Sequence, residues 1–194
     1  MLDFDALDEK RLTINKLVAG LTQEDLAQAT HALIDGVLAN LEGGDDADVQ
    51  FVPSDPDATD AYASSNADVH LPWTLGHVVV HVTASAEESA ALAAEMARGV
   101  EPHGRSRSEA PWQSVTTLAQ CRHRLEESRR MCMASLAMWP DAPHLENRTT
   151  PWQGMDEIDA RGRYVLGLWH AWSHQDQIAE IVRQAKAARL LVQP

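Results

Sequence analysis

The stretch VLGLWHAWSHQDQIAEIV, residues 165–182, decides how the fold is read. At about 100° per residue it divides into three helical faces. Trp169, Ser173, Asp176 and Glu180, with Arg183 just beyond, share a face that is polar apart from the tryptophan. Val165, Leu168, Trp172, Ala179 and Val182 make a second face, and Leu166, His170, His174, Ile178 and Ile181 a third. A helix that is apolar on two sides needs two packing neighbours. These are two other helices of a bundle, or one helix and a second subunit. The two imidazoles set into the aliphatic third face need their own explanation, because each buried ring has two nitrogens to satisfy.

Working outward, the rest of the chain also reads as helix. Alanine, leucine, glutamate, glutamine and arginine dominate the periodic stretches, and these residues favour helix. The last helix is expected from about Met155 to Ala188. A first helical region, about Leu2 to Val18, is broken at Gly20. Thr22 then stands three residues before Asp25 as an N-cap, and Leu26, Thr30, Leu33, Val37 and Leu41 form the stripe of the next helix, which Gly43 and Gly44 end. A second long helix is expected from Pro72–Trp73 to about Arg98. A third runs from near Pro111 to before Pro140, with a seam of Leu118, Cys121, Leu125, Ser128, Cys132, Ser135 and Trp139. The fold class is therefore all-α, an up-down-type four-helix bundle, and residues 1–194 read as one domain. Between the first and second bundle helices, residues 43–70 carry Asp45, Asp46, Asp48, Asp55, Asp57, Asp60 and Asp68 with Pro53, Pro56, Ser64 and Ser65. This long acidic loop has no periodicity and is expected to drape over the surface or to cover a site.

Composition bounds the function. Hydrophobic residues make up 44% of the 194 and charged residues 23%, as in a globular protein. A formal net charge of -13 argues against nucleic acid and anionic membrane surfaces as partners. No segment reads as a signal peptide or a membrane span, so a cytoplasmic protein is expected. Cys121 and Cys132 lie eleven residues apart on one expected helix. That is roughly 16 Å along its axis, too far for a disulfide.

Spacing i, i+4 brings two helical side chains within reach of one point, so His170 and His174 can converge on a metal ion. The zinc motif HExxH uses the same geometry, but its glutamate is missing here. His77 and His81 repeat the spacing on the second long helix. Two facing helices of a bundle can thus supply three or four imidazoles without any loop. The alternative is a set of hydrogen-bonded core histidines with no metal.

Two segments resemble a known family. Pro72-Trp73-Thr74, followed by His81 eight residues after the tryptophan, resembles the second helix of the DinB/YfiT-like metal-dependent enzymes. His170-Ala171-Trp172-Ser173-His174-Gln175-Asp176-Gln177-Ile178 resembles their last-helix motif, H-x-x-x-H-x-x-Q-I. The resemblance implies a DinB-like four-helix bundle, often a homodimer, with a three-histidine site for a divalent metal. Carried over, the ligands are His81, His170 and His174. Zinc and nickel are the leading metals, and iron also suits imidazole. His77 has no counterpart in the motif and stands as an additional candidate ligand, a substrate contact or a partly buried core residue. Gln177 is a candidate hydrogen-bond partner of a ligand or a bound water.

Two chemistries follow from an open three-histidine site. A coordinated thiol ionises, which implies transfer of a low-molecular-weight thiol of the mycothiol, bacillithiol or glutathione type to an electrophile. A bound water is activated instead in a hydrolase. A third reading is a non-catalytic bundle in which metal or histidines are structural. No acidic residue stands at a spacing that requires it to be a base, and Glu88, two turns from His81, is only a weak catalytic candidate. Trp73 is expected to anchor the second helix, and Trp169 to contact the acidic loop or another subunit. His31, His70, His103, His123 and His144 are read as surface residues. Arg105, Arg107, Arg122, Arg124, Arg129 and Arg130 form a basic excess that faces solvent or holds an anionic substrate group.

Overall fold

The computed structural model describes residues 2–60, 66, 68–104 and 111–192. Ser64, Ser65, Arg105 and Arg107 lie outside them. The described residues are helical, and the only strand-like pairing among them is an isolated bridge between Thr149 and Ile158. The elements are α1 (Phe4–Asp8), α2 (Ile14–Leu17), α3 (Gln23–Asn40), α4 (Asp46–Val49), α5 (Leu75–Ala97), a 3-10 turn (Trp112–Ser114), α6 (Leu118–Ala137), α7 (Ala160–Ser173) and α8 (Gln175–Val192). Among the described residues no helix is long and apolar enough to cross a membrane.

The bundle is made of α3, α5, α6 and the α7–α8 pair. Helix α3 packs on α6 and α7, and α5 packs most extensively on α7 and then on α6. Helices α3 and α5 therefore stand at opposite corners. One core runs through all four, from Leu26, Leu33 and Val37 on α3 to Val78 and Val82 on α5, Cys121 and Leu125 on α6, and Leu168 and Ile178 on α7 and α8. Tyr164 is buried among them. Its hydroxyl lies 2.8 Å from Thr30 Oγ1, which itself donates to the Leu26 carbonyl, so Tyr164 donates and ties α7 to α3.

Local chemistry sets the boundaries. Thr22 and Asp25 form the capping box that starts α3, and Gly43 takes a left-handed φ of 69° just past its end. The region expected as one helix from Leu2 to Val18 is two short helices, divided near Lys10, whose φ is 58°. Helix α6 starts at Leu118 rather than near Pro111, because Thr117 and Gln120 form a capping box there and Pro111 leads into the 3-10 turn. The last helix begins at Ala160, capped by Asp159, and breaks at His174 into α7 and α8. At the break the Ser173 hydroxyl donates to the His170 carbonyl at 2.8 Å, a back-bond that competes with the helical ladder.

The acidic loop is fastened to the bundle. It contains one helical turn, α4, nucleated by a capping box between Asp45 and Asp48. Asp48 is 1% exposed and pairs with Arg189 of α8 at 3.1 Å, and Asp45 pairs with the same arginine. Ser54 exchanges two hydrogen bonds with Gln184, at 2.8 and 3.2 Å. Both cysteines are buried and free, and burial pushes each thiol up to about 12.

Candidate metal centre

Helix α5 sets one half of the site. Thr74 caps it by accepting from the His77 amide, which fixes Trp73 just outside the first turn and places His77 and His81 on one face. Gly76 is required here. A Cβ at that position would lie 2.6 Å from the Val115 carbonyl oxygen. The missing side chain lets the segment after the 3-10 turn press against α5. Trp112 then stacks on His77, with ring centres 4.5 Å apart and planes 4° apart.

Helix α7 sets the other half. Gly167 packs against Ser89 of α5, where a Cβ would meet the serine Cβ at 2.5 Å. This close approach brings His170 to His81, whose Nε2 atoms lie 3.1 Å apart. The ring centres of His81, His170 and His174 lie 4.8, 5.2 and 4.9 Å apart pairwise. One ligand nitrogen from each of the three lies within 4.8 Å of the others. Each ring is half-buried.

The donor set fits a divalent cation. Two Nε2 lone pairs facing each other repel unless a proton or a cation lies between them. Nitrogens bound to one tetrahedral zinc at about 2.0–2.1 Å stand roughly 3.4 Å apart, so the 3.1 Å spacing of His81 and His170 needs little adjustment, and His174, whose ligand nitrogen lies within 4.8 Å of the other two, completes the set by a small inward shift. Gln177 fixes a tautomer. Its Oε1 can only accept, and it lies 2.7 Å from His174 Nδ1, so Nδ1 carries the proton and Nε2 is left to coordinate. Burial holds the His174 pKa below its ordinary value, against a smaller opposing effect of the glutamine, which keeps the ring in the neutral form that binds metal.

That hydrogen bond has a measurable consequence. Gln177→Leu is expected to weaken metal affinity roughly 10–100-fold while leaving the site able to fill, checked by competition with a chromogenic chelator.

His77 does not join the cluster. It lies between Trp112 and Trp73, stacked on Trp73 with ring centres 4.5 Å apart. Trp73 continues onto His81 at 4.6 Å and His174 at 5.9 Å. Burial pushes His77 down to about 4, although Asp60 and Asp68 act the other way. In the unfolded chain it titrates near 6.5, so between there and about 4 the unfolded state binds a proton that the native state refuses. This contribution to stability is present above pH 6.5 and is lost as the pH falls towards 4. Melting of metal-free protein between pH 7 and 4 is expected to show that decline, with a shallower slope in His77→Gln.

The other candidates are dispersed. Glu88 is half-buried on α5 and is not one of the grouped ligands. Arg124 pairs with Glu87, Arg129 with Asp35 and Glu126, and Arg130 with Glu127, while Arg122 donates to the Leu41 carbonyl. Trp169 is half-buried and lines a cleft. That cleft, about 460 Å³, opens beside His170 and is walled by Leu92, Met96, Leu166, Trp152 and Arg163. A smaller pocket of about 180 Å³ brings Asp55 and Asp57 of the acidic loop beside Trp73, His174 and Gln177. The loop thus does reach the histidines, and Trp112 and Arg163 are site neighbours that the sequence reading missed. No local pattern marks Trp112. Arg163 is seven residues before His170 on the same stripe, a spacing that could have drawn attention to it.

The sequence profile of the DinB superfamily matches residues 6–178, which include all three histidines. No curated protein and no solved structure matches the chain.

Proposed function

The chain belongs to the DinB superfamily, and on that premise we propose that it is a metal-dependent enzyme that transfers a low-molecular-weight thiol to an electrophile. The observation that carries this reading is the convergence of His81, His170 and His174 beside a cleft large enough for an organic substrate. A divalent ion held by three neutral imidazoles, with zinc or nickel suiting that donor set best and iron next, keeps its full charge and makes a thiol acidic enough to supply thiolate at neutral pH.

The chain's own residues prepare that chemistry. Gln177 holds the proton on His174 Nδ1. Trp73 stacks on His174 and packs at a tilt against His81, which holds the two rings in place. The cleft beside His170 admits the electrophile, while the pocket beside His174 is a separate approach to the same rings. Transfer forms a carbon–sulfur bond and either opens an epoxide carbon–oxygen bond, the thiol proton passing to the alkoxide oxygen, or breaks a carbon–halogen bond, the thiol proton and the halide both leaving to solvent. Nothing in that balance calls for a dedicated carboxylate base.

Metal-dependent hydrolysis is the second reading. It is favoured by Asp55 and Asp57, which line the pocket shared with His174 and could accept a proton from water. The non-catalytic reading is disfavoured by His77, whose place between two tryptophans denies the cluster a fourth imidazole from α5.

The test is a panel of epoxides, haloarenes and activated esters, with mycothiol, bacillithiol and glutathione each supplied or omitted. Metal-loaded protein is expected to form thioether with at least one thiol, and chelator-stripped protein is expected not to. Ester cleavage without thiol would favour the hydrolase. No metal-dependent turnover of any kind would overturn both.

A further inference from the structure

Helix α8 serves the metal centre at one end and the acidic loop at the other. At its start Gln177 bonds His174. Further along, Gln184, Lys186 and Arg189 hold the loop. Arg189 pairs with Asp45 and with Asp48 and donates to the Gly43 carbonyl at 3.4 Å, and Lys186 donates to the Glu42 carbonyl at 2.6 Å. Gln184 makes the last of these fastenings. Its Oε1 accepts from the Ser54 amide at 2.8 Å, and its Nε2 donates to the Ser54 carbonyl at 3.2 Å. One side chain thus satisfies both backbone groups of one residue, as a neighbouring strand would, and fixes the peptide planes on either side of it.

Other helices anchor the first half of the loop as well. Asp46 accepts from the Leu118 amide at 2.8 Å at the start of α6. Val49 is fully buried and lies over Gly76 of α5, where an added Cβ would meet it at 3.3 Å. Directly after Ser54 the chain passes over the metal centre. Asp55, Asp57, Ala58 and Thr59 line the pocket of about 180 Å³ together with Trp73, His174 and Gln177. At its far side this stretch is tied within the loop, by His70 Nδ1 donating to the Ala58 carbonyl at 3.1 Å and by the Asp60 amide donating to the Val69 carbonyl at 2.7 Å. Residues 55–59 therefore span the distance between Ser54, fixed to α8, and the Val69–His70 segment. The cleft beside His170 is lined by none of these loop residues.

We propose that Gln184 and Arg189 are positioning residues for the His174 side of the metal centre. By fastening the acidic loop to α8 they set residues 55–59 as the wall of the pocket there and limit access to His174, while His170 stays open to its own cleft. The fastening follows from the geometry alone. That the pocket is an approach used in catalysis rests on the function proposed above.

The experiment uses the full chain stripped of metal, so that the imidazoles are free to react. It is treated briefly with diethyl pyrocarbonate near pH 7, which carbethoxylates neutral imidazoles according to their access. Tandem mass spectrometry follows each histidine, with the exposed His31 as internal standard. Gln184→Ala removes both bonds to Ser54 and keeps the ion pairs of Arg189. It is expected to raise modification of His174 at least threefold relative to His31 and to leave His170 unchanged. Arg189→Gln leaves the buried Asp48 without its cation; where circular dichroism shows it folded, it is expected to give the same split. Hydrogen exchange is the second readout: the Asp60 amide, beyond Ser54, is expected to exchange at least threefold faster in Gln184→Ala, while the amides of α7 keep their rates. Unchanged modification of His174 in Gln184→Ala would overturn the proposal, because the loop would then not limit access. A rise shared equally by His170 and His174 would also overturn it, because the change would then loosen the whole centre. Since no metal is used, a chain that takes up no metal would defeat the enzyme reading and leave this result standing.

Discussion

Replacing His170 and His174 together by alanine is expected to reduce bound divalent metal from about one ion per chain to background, measured by elemental analysis after dialysis against trace metal. The two rings supply two of the three converging nitrogens. With only His81 left, no chelate remains, and the loss must exceed the roughly 10–100-fold that follows from disturbing an outer hydrogen-bond partner. His77→Ala is the informative control. Its ring lies between Trp73 and Trp112 and outside the cluster, so metal content is expected to stay near that of the unaltered chain. Stability gives a second readout. Metal at about 100 times its dissociation constant stabilises a folded site by roughly 2.7 kcal/mol, so the melting temperature of the unaltered chain should rise on metal addition and that of the double variant should not. Equal metal content in the two proteins would show that the histidines are core residues and not ligands.

The helices and their contents were legible because periodicity is a local property. The stripe of Leu26, Thr30, Leu33 and Val37 is buried as its spacing requires, and the Thr22–Asp25 cap forms where the residue types ask for it. The pairing of His81 with His170 was foreseeable for the same reason: each lies on a face that a bundle turns inward, and the family motif names both. Other features were hidden because they depend on contacts between distant segments. The break at His174 follows from the Ser173 back-bond and from what surrounds Gln175, whose carbonyl takes a hydrogen bond from Asn40 at 3.4 Å. A wheel drawn on an unbroken helix cannot contain it. Trp112 reaches His77 because Gly76 admits the Val115 carbonyl, a close approach that neither segment announces. The acidic loop read as aperiodic, yet Asp48 is buried against Arg189 more than a hundred residues away, and Asp55 and Asp57 line a pocket together with His174. Its charge pattern gave no hint of which carboxylates turn inward.

Gly167→Ala is expected to destabilise the protein by about 1–3 kcal/mol, towards the upper end, although it adds one methyl group and improves helix propensity. The new Cβ would lie 2.5 Å from Ser89 Cβ, 2.8 Å from Ser89 Oγ and 3.1 Å from Ala86 Cα. None of these is the far end of a flexible side chain, so α5 and α7 must separate to make room. Their separation would also draw His81 away from His170, three residues beyond the glycine. Denaturant unfolding measures the stability loss, and chelator competition is expected to show weakened metal binding in the same variant. Removing the obstacle distinguishes this account from a general effect on folding. Ser89→Gly clears the two shortest contacts and leaves only Ala86, so the pair Gly167→Ala/Ser89→Gly is expected to be less destabilised than the sum of the single changes. Ser89→Ala keeps the Cβ at 2.5 Å and should give no such relief. If the two changes were strictly additive, the helices would not be in contact through this pair, and the approach of α7 to α5 would need another cause.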